Sequence, residues 1–377
     1  MQLSYWEKES FFEQVDACVI GSGIVGLSAA IELKKIRQDW NVLVLERGFL
    51  PYGASTRNAG FACFGSVTEL QDDLLKQSEK DVFSLVEWRW KGLQNLRNLL
   101  GDENIGFCLC GGYELFTTKD EFEKAYVSVH EFNRICENII GKEVYSDASQ
   151  KINDFGFKNV SGMILNRYEA QVNTGKMMKN LLKLAYASGV TVMNGVDVET
   201  INGKSVKLKN GIVFDAGKII ITVNGFAKQF LPELDVEPAR AQVLVTSEIN
   251  DLPFEGTFHY EKGYYYFRNV GKRVLFGGGR NLDFDGERTT DMGQTLPIQN
   301  QLESLLRGMI LPGKEYKIEQ RWSGIMGVGS TRSPIVKQIS ENLFCAVRMG
   351  GMGVAIGSLV GKEVAELTAG SDSRQWQ

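Results

Sequence analysis

Two idioms of hydrophobic and polar patterning alternate along this chain. In the first, a short unbroken apolar run meets glycine and then a helix-length pattern. Residues 17–20 form such a run, the signature of a strand buried on both faces in a parallel sheet. The run enters Gly21, Gly23 and Gly26, an amphipathic helical pattern extends through Leu33, and a second apolar strand over 41–45 ends at Glu46. The idiom returns at 214–223, whose apolar run 219–221 leads to Asn224 and Gly225, and again at 343–347. After that last strand come Gly350, Gly351, Met352 and Gly353, then a helix through Leu367. The second idiom fills 239–279, where aromatic and β-branched residues alternate as in GYYYFRNVGKRVLFGGG, the pattern of an antiparallel sheet. Between these blocks the periodicity predicts helices over 81–100, 120–140 and 174–187, and strands over 107–117 and 190–193. A hairpin pattern spans 196–209 around Asn202-Gly203.

The first block has the order strand, G-x-G-x-x-G, helix, strand, acid, and each part has a job in binding a dinucleotide. Gly21 permits the tight turn, Gly23 lets backbone approach a pyrophosphate, and Gly26 lets helix pack on strand. Ser22, Ile24 and Val25 fill the turn and the first helical turn, where unpaired N–H groups face an anion. Glu46, about twenty residues beyond Gly26, is placed to accept hydrogen bonds from a ribose. Blocks of the first idiom are separated by the second. The chain is therefore predicted to be α/β, with a discontinuous Rossmann-like cofactor domain over 1–85, 160–235 and 318–377. An inserted antiparallel-sheet substrate domain takes 86–159 and 236–317.

Composition narrows the classes. The formal charge of -4 over 377 residues gives no basic field for nucleic acid. No uncharged apolar run reaches the length of a membrane-spanning helix, and the acidic start of the chain lacks a signal pattern, so a cytoplasmic location is expected. The six cysteines contain no C-x-x-C pair and there are two histidines, His130 and His259, so no metal site is expected. The histidines fall in ordinary helical or loop contexts, leaving no evident ionisable catalytic group. That favours flavin, whose ring itself accepts a hydride.

Several further blocks carry a resemblance over nearly the whole chain: GASTRNAG from Gly53, EAQVNTGKMMKNL from Glu169, IIITVNG from Ile219, PARAQ from Pro238, GYYYF from Gly263, RWSGIM from Arg321 and GGMGVAIGSLVGKEVAEL from Gly350. In this order they resemble the D-amino-acid-oxidase superfamily of FAD-dependent oxidoreductases. SYWE from Ser4 and WSGIMGVGSTRSP from Trp322 resemble its gamma-glutamylputrescine oxidoreductase, glycine oxidase and sarcosine oxidase group. The resemblance implies non-covalent FAD, with Ser55, Arg57, Asn58, Ala59 and Gly60 along the pyrophosphate, ribityl chain and ring. It places Arg47 near the adenosine ribose, although an exposed arginine after a strand fits the sequence as well. It places the Val198 backbone against adenine, where a strand-core valine is the alternative. Asn224, Gly225 and Gly324 join the cofactor set through their blocks. Gly350, Gly351, Met352, Gly353 and Val354 would open a helix whose N-terminus faces the flavin ring.

The implied reaction is oxidation of the C–N bond of a small amine by hydride transfer to flavin N5, with the imine then hydrolysed. On a strand Tyr264, Tyr266 and Arg268 share one face, a candidate pocket wall. Relatives that oxidise amino acids place a carboxylate-binding arginine near Met326. Methionine there points to an amine without an α-carboxylate, unless Arg268 or Arg332 supplies the pairing by another route. Oxidation of a D-amino acid, glycine derivative or 2-hydroxy acid is the alternative, and a non-catalytic flavin-binding module a further one. The electron acceptor, oxygen or another carrier, is left open.

Overall fold

The computed structural model describes residues 2–370. A short helix α1 (Tyr5–Phe11) precedes β1 (Val15–Ile20), α2 (Ile24–Ile36) and β2 (Val42–Glu46). A one-turn helix α3 (Ala54–Arg57) and strand β3 (Phe61–Ala62) lead to helices α4 (Val67–Leu74), α5 (Glu79–Leu100) and α6 (Asp102–Ile105). Next come β4 (Gly112–Phe116), α7 (Lys119–Tyr126), α8 (Val129–Ile140), β5 (Tyr145–Asp147), β6 (Gly162–Asn166), β7 (Ala170–Gln171) and α9 (Thr174–Ala187). The chain continues through β8 (Thr191–Asn194), β9 (Val198–Asn202), β10 (Ser205–Leu208) and β11 (Val213–Ile221). The aromatic stretch forms β12 (Glu237–Thr246), β13 (Thr257–Tyr260), β14 (Tyr265–Val270) and β15 (Arg273–Gly278). Helix α10 (Leu296–Leu305), β16 (Ile318–Val328), β17 (Ile335–Gln338), β18 (Leu343–Val347) and α11 (Gly353–Thr368) complete it.

The first sheet has the order β17-β18-β11-β1-β2-β8, with the β9–β10 hairpin attached to β11. Its five strands from β18 to β8 run parallel. The unbroken apolar runs are explained by cover on both faces. Ala17 and Val19 pack with α2, α5, α9 and α11, whereas Cys18 and Ile20 pack with residues of the β9–β10 hairpin. Helix α2 departs from the amphipathic expectation, because its residues from Ile24 to Ile31 are all buried. It lies between the sheet and α11, where a Cβ on Gly361 would overlap the carbonyl oxygen of Val25.

The second sheet has the order β16-β12-β15-β14-β13-β4-β6-β5 and is antiparallel apart from the β13–β4 pair. Strands β6 and β16 fall in stretches 160–235 and 318–377, expected to belong to the cofactor domain, yet both are members of this sheet. One of its faces buries an aromatic core in which Phe258 and Phe267 stack at 4.6 Å. The helix expected over 120–140 is broken at Val127 and Ser128 into α7 and α8. The strand expected over 107–117 is confined to β4.

Candidate active site

A cavity of about 490 Å³ opens where the carboxyl ends of β1, β2, β11 and β18 meet the second sheet. This is where open parallel sheets take their ligands. Gly21, at φ +104°, turns the chain out of β1, and a Cβ on Gly26 would overlap the Gly21 carbonyl oxygen. Gly23 caps α2 without a side chain; Ser55 Oγ instead accepts from Ile24 N at 3.0 Å. Gly23, Ile24 and Val25 of this turn line the cavity. Helix α11 also begins without a side-chain cap, and Gly350, Gly351, Met352, Gly353 and Val354 all line the cavity. Two uncapped helix N-termini facing one space fit an anionic, dinucleotide-sized cofactor.

Glu46 is buried at the end of β2. Its carboxylate accepts from Ser22 N at 3.1 Å, Ser22 Oγ at 2.8 Å and Gly48 N at 2.9 Å. These bonds leave part of the acceptor capacity of a carboxylate free toward the cavity. Arg47 stacks on Phe226 at 3.9 Å, and both line the cavity, as does the buried Val198. Three residues expected to touch the cofactor stand behind the wall instead. Ser22 secures Glu46, Gly26 packs on Gly21, and Gly225 lies against the backbone of Met326, where any Cβ would overlap. Asn224, at φ +47°, does line the cavity, and its Oδ1 accepts from Arg348 N and Met349 N at 3.0 and 3.2 Å, fixing the approach to α11.

The 53–60 loop forms the middle of the cavity, with Ser55, Arg57, Asn58, Ala59 and Gly60 all on its surface. Arg57 donates to Ser323 O at 2.9 Å, while Trp322 Nε1 donates to Arg57 O at 2.9 Å, which ties the loop to β16 beside Gly324. Asn58 spends both ends of its amide within reach of the loop, on Ala54, Ser55, Gly60 and Thr174. Arg268, a pocket candidate from strand alternation, does not reach the cavity. It is buried behind the loop and donates to Ala59 O at 2.5 Å, Gln171 Oε1 at 2.6 Å and Val172 O at 3.1 Å. Register puts it on the expected face, but the loop lies between its guanidinium and the cavity.

The part of the cavity under the second sheet brings Tyr266 together with groups that the sequence reading passed over. Across β4, β13, β14 and β15, Glu114, His259, Tyr266 and Gly277 fall in one row. Phe61 packs edge-on to both His259, at 5.3 Å, and Tyr266, at 5.6 Å. Burial pushes the Tyr266 phenol up to about 12, so it stays protonated. His259 is not in the ordinary loop context expected of it: it is buried on β13, with Nε2 2.5 Å from Glu169 Oε1. Burial alone would depress its pKa, but Glu169, aided by Glu69 and Glu114, overcomes this and raises it to about 9. Cys63 Sγ joins the pair, with the three ligand atoms within 4.8 Å of one another. No linear spacing announces this trio. Cys63 also lies 3.3 Å from the Met352 sulfur, and burial holds its thiol well above the usual range.

Arg332 and Met326 both line the cavity. Arg332 is already engaged, by Asp73 at 3.0 Å and Glu69 at 3.3 Å. Burial opposes ionisation of Glu69, yet Arg332 and His259 hold its carboxyl below the usual value. Tyr264 stands at the rim, about one third exposed, just before β14 begins. Asp72 is shared between Lys76 at 2.7 Å and Lys262 at 3.4 Å.

A parallel sheet whose glycine turn and buried terminal acid meet two helix N-termini at one cavity, under a lid of antiparallel sheet, defines a dinucleotide-dependent oxidoreductase. Residues 16–367 match the family of FAD dependent oxidoreductases designated DAO, and the chain belongs to it. Gamma-glutamylputrescine oxidoreductase of Escherichia coli (strain K12) is 24% identical over 95% of this chain and 84% of its own length. Among solved structures, L-proline dehydrogenase from P.horikoshii superposes with a TM-score of 0.75 at 18% identity, covering 96% of each chain. Glycine oxidase from Geobacillus kaustophilus gives 0.75 at 19%, covering 95% of each. The protein is an FAD-dependent oxidoreductase of a family whose members act on C–N donors. Among the described residues no helix is long and apolar enough to cross a membrane.

Proposed function

We propose that this protein oxidises the C–N bond of a small amine. The observation that carries this reading is an aromatic patch, Phe61 packed on Tyr266, in the wall of a cavity that also presents Met326 and whose glycine turn and helix N-termini suit a dinucleotide. Bound FAD supplies a hydride acceptor at flavin N5 for the carbon next to nitrogen, and the resulting imine is hydrolysed by water. The chain itself must bind, orient and dehydrate the amine. A free alkylamine has a pKa of about 10.4, so presenting it neutral near pH 7 costs about 4 kcal/mol. Apolar surroundings shift an amine by that much without a protein base. His259, held as an imidazolium by Glu169, is an unsuitable base.

On this reading Gly23, Ile24, Val25 and Ser55 hold the pyrophosphate, and Glu46 takes the adenosine ribose beside Arg47 and Val198. The segment 57–60 and the α11 N-terminus cradle the flavin, bound without a covalent link. Cys63, the cysteine on the cavity surface, stands against Met352. Six free cysteines accord with a reducing cytoplasm. The test is anaerobic mixing with a panel of amines, amino acids and 2-hydroxy acids while flavin absorbance is followed. Bleaching by amines is expected, and reoxidation on admitting air reports the acceptor. Flavin that bleaches with dithionite but with no amine would sink the proposal.

A further inference from the structure

Along the wall formed by α4 and β13–β15, cavity-facing charged groups have ion-pair partners, with one exception among the described residues. Arg332 is taken by Glu69 and Asp73, Lys76 and Lys262 share Asp72, and His259 holds Glu169. The exception is Arg280. It follows Gly278 and Gly279, whose φ values of +119° and +80° turn the chain out of β15 and bring the arginine to the cavity wall. Its guanidinium carbon lies 4.8 Å from the Phe284 ring, which in turn packs edge-on to Tyr264 at 5.8 Å. Its side chain makes no ion pair and no hydrogen bond with any described residue. The nearby acid Glu287 is fully buried and already held by Arg240 at 2.7 and 2.9 Å and by Gln242 at 2.9 Å. Burial lowers the pKa of Arg280, and Tyr264 and Glu287 offset that only in part, the sign of a cation stripped of some of its water and incompletely compensated. An anion arriving with the ligand would supply that compensation, and a guanidinium suits a carboxylate because it can donate two parallel hydrogen bonds.

We propose that Arg280 receives a carboxylate of the substrate, so that the amine oxidised here is an amino acid or an amine carrying a carboxylate elsewhere. The inference rests on the amine-oxidising reading of the cavity and specifies its substrate class. Met326 pairs with β12 at Ala239, and β15 is the next strand over. Arg280 lies beyond the end of β15, in the turn that leaves the sheet, and Met326 lies within β16, so the carboxylate is received at a different place from the one an arginine at 326 would provide.

The test titrates acetate, propionate, succinate and glutarate, each against its amide, into the oxidised holoenzyme and follows flavin absorbance. In Arg280→Met the carboxylates should bind roughly tenfold more weakly or worse, with amide binding and flavin content unchanged. Arg280→Lys should recover part of the loss. Equal carboxylate affinity in wild type and Arg280→Met, or no carboxylate binding by the wild type, overturns the assignment. Amine bleaching indifferent to Arg280→Met would remove this inference and leave the proposed function standing. Carboxylates that bind through Arg280 in a protein no amine can bleach would do the reverse.

Discussion

His259 shows what a single side chain gains from tertiary surroundings. In the sequence it is one of two histidines without a motif; in the fold it is a buried cation facing Glu169. The pH dependence follows from the sign of its shift. Its folded pKa, about 9, lies above the ordinary 6.5, so its contribution is fully present below about pH 6.5 and fades as pH rises through about 9. That contribution is on the order of 3 kcal/mol. Thermal unfolding between about pH 6 and about pH 10 should show the wild type losing stability at the alkaline end. His259→Gln should be less stable at the acid end and show a flatter profile; an unchanged slope would remove the imidazolium from the account. Arg268 gives the opposite lesson. Strand alternation assigned its face correctly, but its donors are spent on Ala59, Gln171 and Val172. Arg268→Met should lower the melting temperature, through about 1–3 kcal/mol for stranded buried carbonyls, and loosen FAD without altering selectivity for carboxylates.

Among the elements, the glycine turn and the two helix N-termini carry the cofactor end. Gly23→Val would crowd Ser55 Oγ, 2.9 Å from the position of a Cβ, and fill the space a pyrophosphate needs. The flavin-to-protein ratio after purification should fall well below that of the wild type. Arg57→Ala should lower it too, because the loop would lose its tie to Ser323 O. Full occupancy in both variants would contradict the placement of the cofactor. These elements were legible because their sequence cause is local: apolar runs make strands, and glycine is required where backbone meets backbone. The strand 343–347 was read to the residue. The helix expected over 120–140 was not, since Val127 and Ser128 continue the polar and apolar rhythm while the backbone breaks to let α7 and α8 pack separately. The amphipathicity of α2 was misjudged because a helix covered by both a sheet and α11 has little face to offer water.

For the molecule as a whole, the cavity depends on distant parts of the chain meeting. Helix α11 brings the 350–354 glycine segment to β1 and α2 by packing closely on α2 and α5. A Cβ at Gly361 would overlap Val25 O, and one at Gly92 would overlap Ala355 O. Gly361→Val should therefore lower both melting temperature and flavin content, although Gly361 does not line the cavity. A variant with normal flavin content and stability would show that the α2–α11 contact does not set the site. The sequence by itself determined the strands of the parallel-sheet core, the glycine turn and a dinucleotide as the cofactor, because each follows from residues close together in the chain. Only the tertiary structure decided which arginines are free. It placed Arg268 behind a loop, matched Arg332 with two acids and left Arg280 bare at the cavity wall. Pairing of charge depends on distances between segments far apart in sequence, and periodicity carries no record of those distances.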